Sequence, residues 1–138
     1  MRIFYSPSSD PMLFGPGADL NALYTCLSEF LASSEKAISV PAEVTLSPAQ
    51  YQQFLPGLRL KKTQDAVFLC LAEDGWLELC GSVPNLSKYV SHFRFDPSNK
   101  DGHHHPDNAN HMAASSLRLI IEADATWGEE NAGYSKRS

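Results

Sequence analysis

Residues 67 to 80 constrain the fold more than any other stretch of the chain. Val67 to Leu71 is a continuous apolar run, Glu73-Asp74-Gly75 is a tight turn, and Trp76 to Cys80 returns as a partner strand. Glycine supplies the positive φ that such a turn requires. Alternation along the return strand places Trp76, Glu78 and Cys80 on one face and Leu77 and Leu79 on the other. The leucine face needs covering, and two apolar helical stripes elsewhere in the chain can cover it.

The first stripe is Leu20, Leu23, Tyr24, Leu27, Phe30 and Leu31, spaced as one face of a helix that follows Gly15-Pro16-Gly17. Asp19 serves as its N-cap or first-turn acid. The second is Leu86, Tyr89, Val90 and Phe93, with Ser82 or Asn85 as cap and Pro84 in the first turn. Residues 2–6 form a first strand, which Pro7 to Pro11 ends. Residues 37–46 alternate loosely, and Pro41 assigns them to an edge or a bulge. Residues 47–55 read as a short helix or turn, and Leu58 to Lys61 as a short strand. Ser116 to Glu122 closes the domain, with Leu117, Leu119 and Ile121 on one face. The order is strand, helix, strands, helix, strand. The expected fold is therefore α+β: two layers, a mostly antiparallel sheet and two main helices, in one domain over 1–124. Residues 125–138 are a polar tail.

Composition narrows the function classes. The 138 residues carry a formal charge of -5. This disfavours nucleic acid, which requires a basic patch, and suits a basic protein partner. No apolar run approaches the roughly 18 residues of a membrane span, so a membrane partner is not expected and a cytoplasmic location is. Cys26, Cys70 and Cys80 are odd in number and set in apolar segments, which fits buried reduced thiols. Neither a Gly-x-Gly-x-x-Gly nor a Walker loop occurs, and no cofactor is expected. Ser115 and Ser116 stand near histidines, with Asp107 able to orient one, but the Gly-x-Ser-x-Gly elbow is missing. No enzymatic activity is expected.

Four of the five histidines fall in one polar stretch, as His103, His104, His105 and His111. Three readings of it stay open: a plain surface loop, a partner-binding loop, or a metal site. Histidine and carboxylate suit zinc and related ions. His103 and His105 would point the same way in an extended chain, with His111 curling back to complete a set of three. That set would serve a metal-binding protein or a metal-dependent hydrolase. For partner binding, the candidate contacts are His103, His104, His105, Asp107, Asn108 and His111, joined by the acidic turn Glu73-Asp74.

Several short motifs also share an order with a known family. Gly81 and Ser82 open a leucine-bearing helix at Leu86, after an apolar strand. The clustered His103, His104 and His105 follow, and a Ser-x-x-Leu-Ile-Ile strand closes the series at Ser116, Leu119, Ile120 and Ile121. Over roughly residues 66 to 122 this resembles the bacterial polymorphic-toxin immunity proteins catalogued as immunity protein thirty-two. The N-terminal half matches only in element order, and Pro106 to Asn110 departs from the family's more regular extended segment. The resemblance implies a cytoplasmic α+β protein that binds and neutralises a cognate toxin without catalysing a reaction.

Overall fold

A computed structural model describes residues 1–7, 9–44, 53–95, 102–104, 106 and 116–123. In chain order the elements are β1 (Arg2–Ser6), β2 (Ser9–Gly15), α1 (Gly17–Ala32), β3 (Ala37–Pro41), β4 (Gln53–Phe54), β5 (Gly57–Lys62), β6 (Phe68–Leu71), β7 (Leu77–Gly81), α2 (Val83–Val90), a 3-10 turn at Ser91–Phe93, β8 (Gly102–His104) and β9 (Ile120–Ala123). The α+β class holds, but the strands divide over two sheets. One has the order β4-β1-β2-β9-β8, the other β3-β5-β7-β6. Pairing is mostly antiparallel; β2 with β9 and β5 with β7 are parallel.

The two sheets meet at both ends. The chain leaves β4 through Leu55 and Pro56 and enters β5 directly. There the Leu55 N–H donates to the Ile3 carbonyl (2.8 Å), and Ala42 N–H donates to the Pro56 carbonyl (2.9 Å). At the other end, residues 116–119 run beside β6 before becoming β9. The Leu117 N–H donates to the Leu69 carbonyl at 2.9 Å, and the Leu69 N–H donates to Ser116 Oγ at 2.8 Å. Hydrogen bonding can thus be followed from β1 through β2 and β9 into the 116–119 segment, and on through β6, β7 and β5. The chain itself, through Leu55 and Pro56, links β5 to β4 and so back to β1. Strands that change sheets at a bend make the corners of such a closed packing.

A single core fills the space between. Ile3, Leu13 and Ile121 face it in one row of the first sheet, and Leu58, Leu77, Leu60, Leu79 and Leu69 face it from the second. All eight are fully buried. Helix α1 adds Leu20, Leu23, Leu27, Phe30 and Leu31, and α2 adds Leu86, Tyr89 and Val90, with Phe93 from the 3-10 turn. Both apolar stripes are therefore core, as their spacing predicts, except that Tyr24 is only half-buried at the rim. Ser82 caps α2, its Oγ accepting the Asn85 N–H at 3.4 Å. Gly75 takes φ 88° in the β6–β7 turn, the conformation expected of it.

Three features differ from the sequence expectation. β2 occupies residues placed in a Pro-rich break. Pro11 is accommodated because the β1–β2 ladder shifts register between Phe4 and Ser6, leaving a gap where its missing N–H breaks no pair. Gln53 and Phe54 are strand, paired with Tyr5 and Phe4, rather than the end of a short helix; residues 47–52 lie outside the described set. The expected strand over 37–46 ends at Pro41, on the edge of its sheet as its proline implies. The polar turn at 96–101 and the tail at 125–138 also lie outside the described residues.

Candidate functional site

The candidate site is built where β8 meets the end of α2. In register, Ile3 pairs with Leu13, Leu13 with Ile121, and Ile121 with His104. A row of three fully buried aliphatic residues thus ends, at the sheet edge, in a histidine. An imidazole in that position needs polar partners. His104 Nδ1 lies 2.6 Å from the carbonyl of His92, which follows α2 in the 3-10 turn. A carbonyl only accepts, so Nδ1 carries a proton. The ring also stacks on Phe95, with centroids 4.3 Å apart and planes 3° from parallel.

His92 is held in the same way. Its Nδ1 faces the carbonyls of Lys88 (3.1 Å) and Tyr89 (3.3 Å) in the last turn of α2. Its ring centroid lies 6.1 Å from that of His104, with the planes at 79°. Both rings are half-buried. Phe95 is fixed from the opposite side by Asn21 of α1. The Asn21 amide donates to the Phe95 carbonyl (2.9 Å) and accepts the Phe95 N–H (2.7 Å). The corner is therefore an assembly of one strand, two helix ends and two imidazoles whose Nδ1 atoms are held by backbone carbonyls.

The acidic turn belongs to a different cluster, on the outer face of the four-stranded sheet. Asp74 Oδ2 meets Arg59 Nη2 at 2.7 Å, and Glu78 Oε2 meets both Arg59 Nη1 and Lys61 Nζ at 3.3 Å. Arg59 also lies over the Trp76 ring, 5.3 Å from its centroid. The Arg59 guanidinium and the Trp76 N–H hold the Asp74 carboxyl below the ordinary carboxylate range. Burial pushes Glu78 up, but hydrogen bonds from Arg59 and Lys61 outweigh it and leave its pKa lowered. Burial, aided by the Glu78 carboxylate, raises the Cys80 thiol to about 11; Cys70 is raised for the same reasons. Carboxylates held ionised and thiols held protonated are the reverse of what general acid catalysis and thiolate attack require. This face is an ion-pair network. The three cysteines are free and half-buried, less enclosed than their apolar settings predict.

Of the residues expected to contact a partner, His104 is placed in the corner just described. Glu73 is exposed in the β6–β7 turn, and Asp74 beside it is committed to Arg59. No described contact joins this turn to His104. His103 lies in β8, in register with Glu122. The first two of the three adjacent histidines are therefore strand rather than loop. His105, Asp107, Asn108 and His111 lie outside the described residues, and with them the possible metal set of His103, His105 and His111. Among the described residues, no three His, Cys, Asp or Glu side chains converge as metal ligands. A groove of about 380 Å³ between α1 and α2, lined by Tyr24, Ser28, Leu31, Val83, Ser87 and Val90, brings no acid–base pair together.

Sequence reasoning missed His92, Phe95 and Asn21. A signal for His92 was present, since a histidine in the last turn of a helix can bond the terminal carbonyls. Its pairing with His104, twelve residues on, depends on how the chain turns between them. No helix among the described residues is long and apolar enough to cross a membrane. The chain matches no protein-family model, no curated protein and no solved structure.

Proposed function

We propose that this chain is an immunity protein, which neutralises a cognate antibacterial toxin by direct contact and catalyses no reaction. The observation that carries this reading is β8. It is the terminal strand of its sheet among the described residues, and its His104 is locked by the His92 carbonyl and the Phe95 ring. The outer edge of a terminal strand offers main-chain donors and acceptors to an incoming extended segment, and a fixed side chain beside it provides selectivity. Rigidity lowers the ordering cost of binding. The formal charge of -5 favours a basic partner and speeds its approach. A standard interface needs about 800 Å² from each partner, a modest fraction of the 7815 Å² this chain exposes. The motif order over residues 66 to 122 supplies the specific expectation that the partner is a toxin. His103, His105, Asp107, Asn108, His111 and Glu73 complete the proposed contact set on sequence grounds.

The test is co-expression with the polypeptide encoded directly beside this one. Survival of cells making that polypeptide, and a stable one-to-one complex on size exclusion, are the expected results. His104→Asp should then weaken the complex by at least tenfold, beyond what the accompanying loss of free-chain stability, read from its melting temperature, accounts for. Absence of both protection and complex formation at micromolar concentration would overturn the reading.

A further inference from the structure

Alternation gives the five-stranded sheet a second face, and that face is apolar as well. Ile3, Leu13 and Ile121 point into the core, so their neighbours Phe4, Met12 and Ile120 point the other way. In register, Phe54 pairs with Phe4, Phe4 with Met12, and Met12 with Ile120. Large apolar side chains thus cross the sheet in one row. Each is half-buried, and none belongs to the core cluster or to the side chains packed on it. Phe4 and Phe54 meet edge to face, with centroids 5.8 Å apart. A sheet with one face on the core ordinarily carries polar residues on the other. Phenylalanine and methionine are instead types in which protein interfaces are enriched. One carboxylate interrupts the surface. Glu122 lies two residues beyond Ile120 on the same face, in register with Phe14. It is half-buried and makes no ion pair among the described residues. A carboxylate in apolar surroundings calls for a cation.

We propose that this outer face is a docking surface for a protein partner that presents apolar side chains around a lysine or arginine, the cation meeting Glu122. β9, which carries Ile120 and Glu122, lies beside β8, so the face continues to the strand edge assigned above to partner binding. The inference rests on that reading and extends it from one edge to a sheet face. The formal charge of -5 favours the same basic partner. The apolar row excludes water from the contact, and Glu122 fixes its register.

The test uses the full chain, free and in complex with the polypeptide encoded directly beside it. Carbene footprinting from a photolysed diazirine reads apolar surface that solvent reaches. Phe4, Met12 and Ile120 should label in the free folded chain and lose at least fivefold of that labelling in the complex. Glu122→Lys should weaken the complex at least tenfold, and Glu122→Gln less, with circular dichroism melting checking that each stays folded. If either unfolds, the footprint of the unmodified chain decides. Labelling that is unchanged on complex formation overturns the proposal. So does a face that labels only after residues 125–138 are removed, since the chain's own tail would then be its occupant. If the neighbouring polypeptide forms no complex, the toxin reading fails by itself. The free-chain footprint then still judges this face: strong labelling supports a docking surface, and protection overturns it.

Discussion

Replacing Asn21 with alanine should loosen the corner that holds His104, and the cost can be worked from two bonds. The Asn21 amide satisfies both backbone groups of Phe95, at 2.9 and 2.7 Å, and Phe95 is only 4% exposed. Each bond contributes about 0.5–1.5 kcal/mol net, and a backbone group left unpaired pushes toward the upper end of that range. The two together give about 1–3 kcal/mol. Alanine returns up to about 0.7 kcal/mol through its better helix propensity in α1. The unpaired backbone groups place the two bonds in the upper half of their range, about 2–3 kcal/mol, so a net loss of about 1.3–2.3 kcal/mol is expected, read as a lower urea midpoint at unchanged slope. Combining Asn21→Ala with His104→Ala should give a coupling of about 0.5–1 kcal/mol, because the His104 ring stacks on the residue that Asn21 pins. A loss below about 0.5 kcal/mol would show that water replaces the amide freely. Zero coupling would show that the His104 stack does not depend on Asn21, and the account of a rigid corner would fail.

Two further outcomes test the frame around the site. A Cβ at Gly57 would lie 2.5 Å from the Val40 carbonyl and 2.7 Å from Trp76 Cη2. The carbonyl belongs to the β3–β5 ladder and cannot retreat, so Gly57→Ala should cost about 3 kcal/mol, lowering the melting temperature by about 10 °C. Gly75→Ala, with open space around it and φ 88°, should cost only about 1 kcal/mol; equal melting of both variants would contradict the packing described. The second outcome is acid sensitivity. Asp74 and Glu78 have lowered folded pKa values, so their stabilising effect is complete above the unfolded carboxylate range and is lost as pH falls through the folded values. Below about pH 4.5, the wild-type chain should therefore lose stability more steeply than Glu78→Gln. In the same variant Cys80 should alkylate faster at alkaline pH, since a carboxylate no longer opposes the thiolate. Parallel acid-unfolding profiles would remove Glu78 from that role.

Periodicity made the helices and the β6–β7 hairpin legible, because their apolar faces are the core itself. Leu20 to Leu31, Leu86 to Phe93, and Leu77 with Leu79 are buried in the pattern that spacing predicts. Non-local pairing was not legible. Nothing local to Met12 or Leu13 says that this strand lies between β1 and the distant β9, or that a register shift makes room for Pro11. Nor does the run from Gln53 to Lys62 reveal that one segment serves two sheets. The site suffered in the same way. His104 stood out by composition, but the groups that fix it, the His92 carbonyl and Phe95, precede it by twelve and nine residues. Asn21 is farther still, 74 residues from the Phe95 backbone it bonds.

The place of β8 in the fold bears on why it exists. Its described side chain, His104, lies outside the core cluster, although its row neighbours Ile121, Leu13 and Ile3 are all fully buried. A leucine there would extend the apolar row and would need no polar partner. The histidine instead requires a carbonyl taken from the end of α2 and an aromatic ring held by α1. These elements also build the core, so the imidazole is braced by the most constrained part of the molecule. Such an arrangement gains little by burial and much in fixed geometry, which is what a recognition or ligand-binding group requires. The proposed recognition role draws on that one property.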